Sequence, residues 1–130
     1  MTRGLLDTSV LIDYHSIDPS KLPEESAVAA ITLAELTAGP HVARDDTERA
    51  RRQDRLLWAA STWDPLSFDA PAARAFGLVV AATRRTGRTS RTRLADLLIA
   101  STAIANDLAI YTRNPSDFAG LEDLLQVHTI

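Results

Sequence analysis

Short apolar runs and longer helix-patterned stretches take turns along this chain, and that alternation restricts the fold more than any other property of the sequence. Apolar runs at 4–7, 27–31, 62–68, 108–112 and 124–129 read as strands. Between them, 9–15, 32–38, 45–61, 69–85 and 94–106 read as helices. Strands that alternate with helices predict an α/β fold: a central, mostly parallel sheet of 4–5 strands flanked by helices on both faces. The length suits one domain over 1–130, with no internal repeat and no linker.

Local signals set the boundaries. Thr8 or Ser9 is expected to cap the helix that follows Leu5-Leu6-Asp7. Thr32 and Glu35 have the spacing of a capping box, and Gly39-Pro40 ends that helix. Asp45, Asp46 and Glu48 suit the N-terminal dipole of the next helix. Pro65 marks 62–68 as an edge strand. Asp69 and Pro71 start the helix that runs to about Arg85. The stretch 94–106 is apolar almost all round and is therefore a buried helix.

Composition removes several functions. There is no cysteine, so disulfides, zinc–thiolate sites and thiol catalysis are excluded. No apolar run reaches the roughly 18 residues of a membrane span, and the N-terminus lacks a secretory signal, so a cytoplasmic protein is expected. No Gly-Lys-Ser/Thr loop and no Gly-x-Gly-x-x-Gly occurs. Lys21 is the only lysine, which counts against a phosphoacceptor receiver domain, and His15, His41 and His128 lie in no hydrolase motif.

Four acids remain: Asp7, Glu35, Asp96 and Asp117. Singly, each has a local explanation as a cap, a capping-box partner, a dipole partner or a turn residue. Together they follow strand ends or open helices that a parallel sheet brings to one edge. Carboxylates gathered there would repel one another unless a cation sits among them. Magnesium or manganese favours carboxylate oxygen, keeps waters, and can activate one of them against a phosphodiester.

Leu-Leu-Asp-Thr-Ser-Val-Leu-Ile-Asp at 5–13, Ile-Thr-Leu-Ala-Glu-Leu at 31–36, Ala-Asp-Leu-Leu-Ile-Ala-Ser-Thr-Ala at 95–103 and Tyr-Thr-Arg-Asn-Pro-Ser-Asp-Phe at 111–118 resemble the PIN domain. More narrowly they resemble the VapC-type ribonuclease toxins of toxin–antitoxin pairs. The four blocks agree in order and spacing over nearly the whole chain. The resemblance implies a PIN-like fold and an Mg2+- or Mn2+-dependent endoribonuclease. It also implies a homodimer and a cognate VapB-type antitoxin. It makes Asp7, Glu35 and Asp96 metal-binding acids, with Thr8 or Thr112 orienting a metal-bound water. Many members carry Asp directly after Thr-Arg; here that position is Asn114, and Asp117 follows three residues on. The fourth acidic place falls to one or the other.

For RNA, the run 84–93 supplies Arg84, Arg85, Arg88, Arg91 and Arg93 with no acid between them, and is expected to be a loop that holds phosphates. Arg49, Arg51, Arg52 and Arg55 lie at helical spacing from Asp46, Glu48 and Asp54, so intrahelical pairing is expected for them. Trp58 and Trp63 are expected to pack, not to stack on bases. The rival expectation is a non-catalytic PIN-fold protein that binds RNA or a partner, and Asn114 is the residue that favours it.

Overall fold

The structure is a computed structural model and describes residues 1–87 and 94–130. Four strands, β1 (Arg3–Leu6), β2 (Glu25–Ala27), β3 (Ala109–Thr112) and β4 (Val127–Thr129), form one sheet in the order β2-β1-β3-β4. All three pairings are parallel. Five helices connect them: α1 (Thr8–Ile12), α2 (Ala30–Ala38), α3 (Asp46–Thr62), α4 (Ala70–Arg85) and α5 (Leu94–Ala105).

Both faces of the sheet are covered, and strand alternation shows how. Leu5 and Ile110 point into a core with Val79 of α4 and Leu97, Ile99, Ala100 and Ala103 of α5. Their neighbours Leu6 and Tyr111 point the other way, onto Val10 and Leu11 of α1, Leu36 of α2 and Ala59 of α3. Strands buried on both faces are apolar throughout, so a hydrophobic run marks them and alternation does not. Tyr14, Trp58 and Trp63 extend the second core as a ring cluster, with Tyr14 centred 5.0 Å from Trp58 and 5.7 Å from Trp63.

Gly4 shows how tightly the strands are fitted. A Cβ there would lie 2.2 Å from the Tyr111 ring, which crosses above it and stacks on His128. Any side chain at position 4 would displace that ring.

The expected helices and four of the five expected strands occur in the expected order, with four corrections. The second strand ends at Ala27, and Ala30 already belongs to α2. Segment 62–68 is no strand, because α3 runs to Thr62 and only Leu66 bridges to Ala29. The Leu66 carbonyl takes the Ala30 N–H at 2.8 Å, while the Leu66 N–H bonds the Val28 carbonyl at 2.9 Å. That carbonyl serves the N-terminus of α2, so Thr32 and Glu35 form no capping box; the N-cap is Ala29, without a side-chain bond. The helix expected at 9–15 breaks at Asp13 into a 3-10 turn at Tyr14–Ser16.

Candidate active site

The chain leaves the central strand at Asp7. Its N–H still bonds the Tyr111 carbonyl of β3 at 2.9 Å. Its Oδ1 accepts the Thr8 N–H at 2.8 Å, so Asp7 is the N-cap of α1, in place of Thr8 or Ser9. Asp7 is only 2% exposed. A carboxylate so placed is costly unless donors surround it. Here Oδ2 accepts from Ser9 Oγ and from Thr112 Oγ1, each at 2.8 Å. Thr112, fully buried at the end of β3, also accepts the Asn114 N–H at 3.0 Å. Ser9 accepts the Arg113 N–H at 3.1 Å. The ends of β1 and β3 are thereby tied through one carboxylate. Ligand sites of parallel sheets form between such strands, where the chain turns to opposite sides of the sheet.

Glu35 joins from α2. The Thr8 hydroxyl donates to Glu35 Oε1 at 2.6 Å and lies 2.9 Å from the Thr32 hydroxyl. The Thr32–Glu35 spacing thus sets two polar groups on one helix face toward α1. Asp96 sits in the first turn of α5 and is 3% exposed. This helix feeds β3 and packs on both β3 and the 3-10 turn Pro115–Phe118 that follows it. Its first turn therefore lies toward the carboxyl edge. Asp7 and Asp96 are the only buried charged side chains among the described residues.

Asp117 is half-buried in that 3-10 turn, and its N–H bonds the Asn114 carbonyl at 3.1 Å. Its carboxylate joins none of the hydrogen bonds above, among the described residues. Arg84 and Arg85 are exposed in the last turn of α4, so the expected loop begins later than position 84. Arg88, Arg91 and Arg93 lie outside the described residues. Sequence reasoning missed the hydroxyls of Ser9, as a bond to Asp7, and Thr32. Thr32 had been assigned to a cap, which hid its contact with a residue 24 positions away.

Among the described residues no three His, Asp or Glu side chains gather closely enough to hold a metal ion. A magnesium-like cation needs only one or two carboxylates and keeps its waters. The donors at this edge are carboxylate and hydroxyl oxygens, and the chain has no thiol. Such residues fit a hard divalent cation and not a zinc centre closed by protein ligands.

The family model for the PIN domain matches residues 4–122. Ribonuclease VapC5 of Mycobacterium tuberculosis is 34% identical over 130 residues, 98% of this chain and 93% of its own length. Ribonuclease VapC8 of the same species is 38% identical over 101 residues, 77% of this chain and 89% of its own length. Among solved structures, the VapBC-5 toxin–antitoxin system of M. tuberculosis superposes with a TM-score of 0.88 at 32% identity, with all of both chains covered. VapBC2 of Rickettsia felis, bound to a DNA fragment of its promoter, superposes with a TM-score of 0.77 over 99% of each chain. At 21% identity it speaks to the fold alone.

Proposed function

This chain belongs to the PIN-domain family, and from that premise we propose that it is a divalent-metal-dependent endoribonuclease acting as the toxin of a toxin–antitoxin pair. The observation that carries the reading is the burial of two acids, Asp7 directly after the central strand β1 and Asp96 in the first turn of the helix that feeds β3. Relatives named as ribonucleases support the activity, and a structural neighbour solved as a toxin–antitoxin complex supports a VapB-type antitoxin as partner.

Asp7 and Asp96 would hold Mg2+ or Mn2+, with Glu35 as a further ligand or as the group that would take a proton from the attacking water. The bound cation supplies Lewis acidity toward a phosphate oxygen. Ser9 and Thr112 fix the Asp7 carboxylate in one orientation, and Thr8 does the same for Glu35. Asp117 completes the acidic pocket, with Asn114 holding the end of β3. Arg84 and Arg85, with Arg88, Arg91 and Arg93, take the RNA backbone.

The chain acts in the cytoplasm, where RNA is the substrate. No helix among the described residues is long and apolar enough to cross a membrane. A homodimer is what the likeness to VapC-type toxins implies. The whole of 1–130 forms one PIN domain.

The test is cleavage of a structured RNA pool with magnesium or manganese, with chelator, and with Asp7→Asn. Asn is as good an N-cap as Asp, so the variant keeps its fold and should lose at least about a hundredfold in rate. Cleavage that needs both metal and Asp7 establishes the nuclease. Absence of cleavage by folded, antitoxin-free protein favours the second reading, a non-cutting PIN-fold binder, for which Asn114 in the acidic block is the specific observation.

A further inference from the structure

A groove of about 610 Å³ opens beside Thr8 and Glu35 and runs between α2 and α3. Its α3 side carries Arg51, Arg52 and Arg55, with Arg44 just before that helix. The sequence suggests that such arginines are consumed by acids on their own helix, and for three of the region's arginines they are. Arg49 pairs with Asp46 at 2.7 Å. Arg44 pairs with Glu48 at 3.2 Å, and Arg52 pairs with Glu48 while donating to the Gly39 carbonyl at 2.8 Å. Arg51 and Arg55 are different. Among the described residues neither forms an ion pair, with Asp54 or any other acid. They lie four residues apart, so they share a helix face with Cβ atoms about 5–6 Å apart. Two like charges in that arrangement repel, and among the described residues no acid lies within ion-pair distance of either.

We propose that Arg51 and Arg55 form a phosphate-binding track for single-stranded RNA, which leads the backbone along the groove to the acidic edge at Glu35. Three features favour RNA. Guanidinium groups bind phosphate oxygens in a bidentate manner, and successive phosphates give a row of anions to match a row of cations. Glu35 and Thr8, which belong to the proposed site, line the same groove. Its surface also exposes the aliphatic Ile12 and Val42, 49% and 70% accessible, which offer apolar contact to an unstacked base. The assignment rests on the ribonuclease reading and adds to it backbone-binding residues other than the arginines of the 84–93 run.

The test measures binding of a fluorescein-labelled, mixed-sequence oligoribonucleotide by anisotropy over a series of KCl concentrations. The parent is the Asp7→Asn protein, which does not cut. Arg51→Gln with Arg55→Gln keeps the side-chain stems and helix propensity. It should bind at least about a hundredfold more weakly at low salt, from loss of two charge-assisted contacts. The slope of log K against log salt should fall by about 1.4, since each phosphate contact on a single strand contributes about 0.7. Arg51→Lys with Arg55→Lys should keep the parent slope, and Arg74→Gln, an exposed arginine on α4, should change nothing. Far-ultraviolet circular dichroism checks that each variant is folded. If the wild type cuts RNA but the double Gln variant keeps the parent slope, the track is wrong and the groove belongs to a protein partner. If the wild type neither binds nor cuts RNA, the ribonuclease reading falls, and the track with it.

Discussion

Thr112→Val tests whether the Asp7 carboxylate is held dry. Valine matches threonine in shape and suits a strand, so the variant removes a hydroxyl and little else. That hydroxyl is fully buried, donates to Asp7 Oδ2 at 2.8 Å, and accepts the Asn114 N–H at 3.0 Å. A hydrogen bond to a charged group contributes about 1.5–3 kcal/mol. The Asn114 amide belongs to an exposed residue and can turn to water, so its loss adds little. The expected cost is about 2 kcal/mol, or a fall in melting temperature of about 6–10 °C for a chain of this size. Ser9→Ala removes the other hydroxyl donor to the same oxygen, also at 2.8 Å, but from a half-buried position that water reaches. It should cost less, about 1 kcal/mol. Urea unfolding followed by circular dichroism, without divalent ions, measures both. If Thr112→Val costs less than about 0.5 kcal/mol, or less than Ser9→Ala, water serves Asp7 and the account of the buried carboxylate is refuted.

Three further outcomes follow from other parts of the molecule. Asp96→Asn should reduce the rise in melting temperature on adding magnesium, a mass-action effect of about 2.7 kcal/mol at a hundredfold excess over the dissociation constant; an undiminished rise in a thermal scan would remove Asp96 from the cation site. The Glu48 carboxyl is held below the ordinary glutamate value, first by the hydrogen bond from the Arg44 side chain. A depressed carboxylate stabilises the fold above its unfolded value and stops doing so as pH falls through its folded one. Glu48→Gln should therefore lower the melting temperature near neutral pH, with the difference from wild type closing below about pH 4; a constant difference across that range would contradict the cause. Gly4→Ala places a methyl 2.2 Å from the Tyr111 ring, and should cost about 1–3 kcal/mol by overpacking; calorimetry showing no loss would mean that the ring moves freely.

Much of this was legible because it is local. Leu5-Leu6 before Asp7 announces a buried strand ending in an acid. The apolar surroundings of Asp96, Leu97 through Ala100, announce a carboxylate inside the protein. What could not be read was the choice among partners. Thr32 has the right spacing to cap, but Leu66, 36 residues from Ala30, reaches the start of α2 first. Helical spacing offers Glu48 and Asp54 to Arg51 as readily as it offers Asp46 to Arg49, and only the fold shows which pairs form. Pro65 suggests an edge strand at 62–68, but α3 takes up Thr62 and only a single bridge, Leu66 to Ala29, forms there.

Asp7 reaches its position almost fully committed as an acceptor. A carboxylate has about four lone-pair directions. The Thr8 amide takes one on Oδ1, and the Ser9 and Thr112 hydroxyls take two on Oδ2. One vacancy remains, on Oδ1. Calcium, which commonly takes both oxygens of a carboxylate, would have to displace a hydroxyl; magnesium, content with single oxygens and its own water, would not. For the proposed cation site, the choice of ion would thus depend on the hydroxyls around Asp7 as much as on the acids.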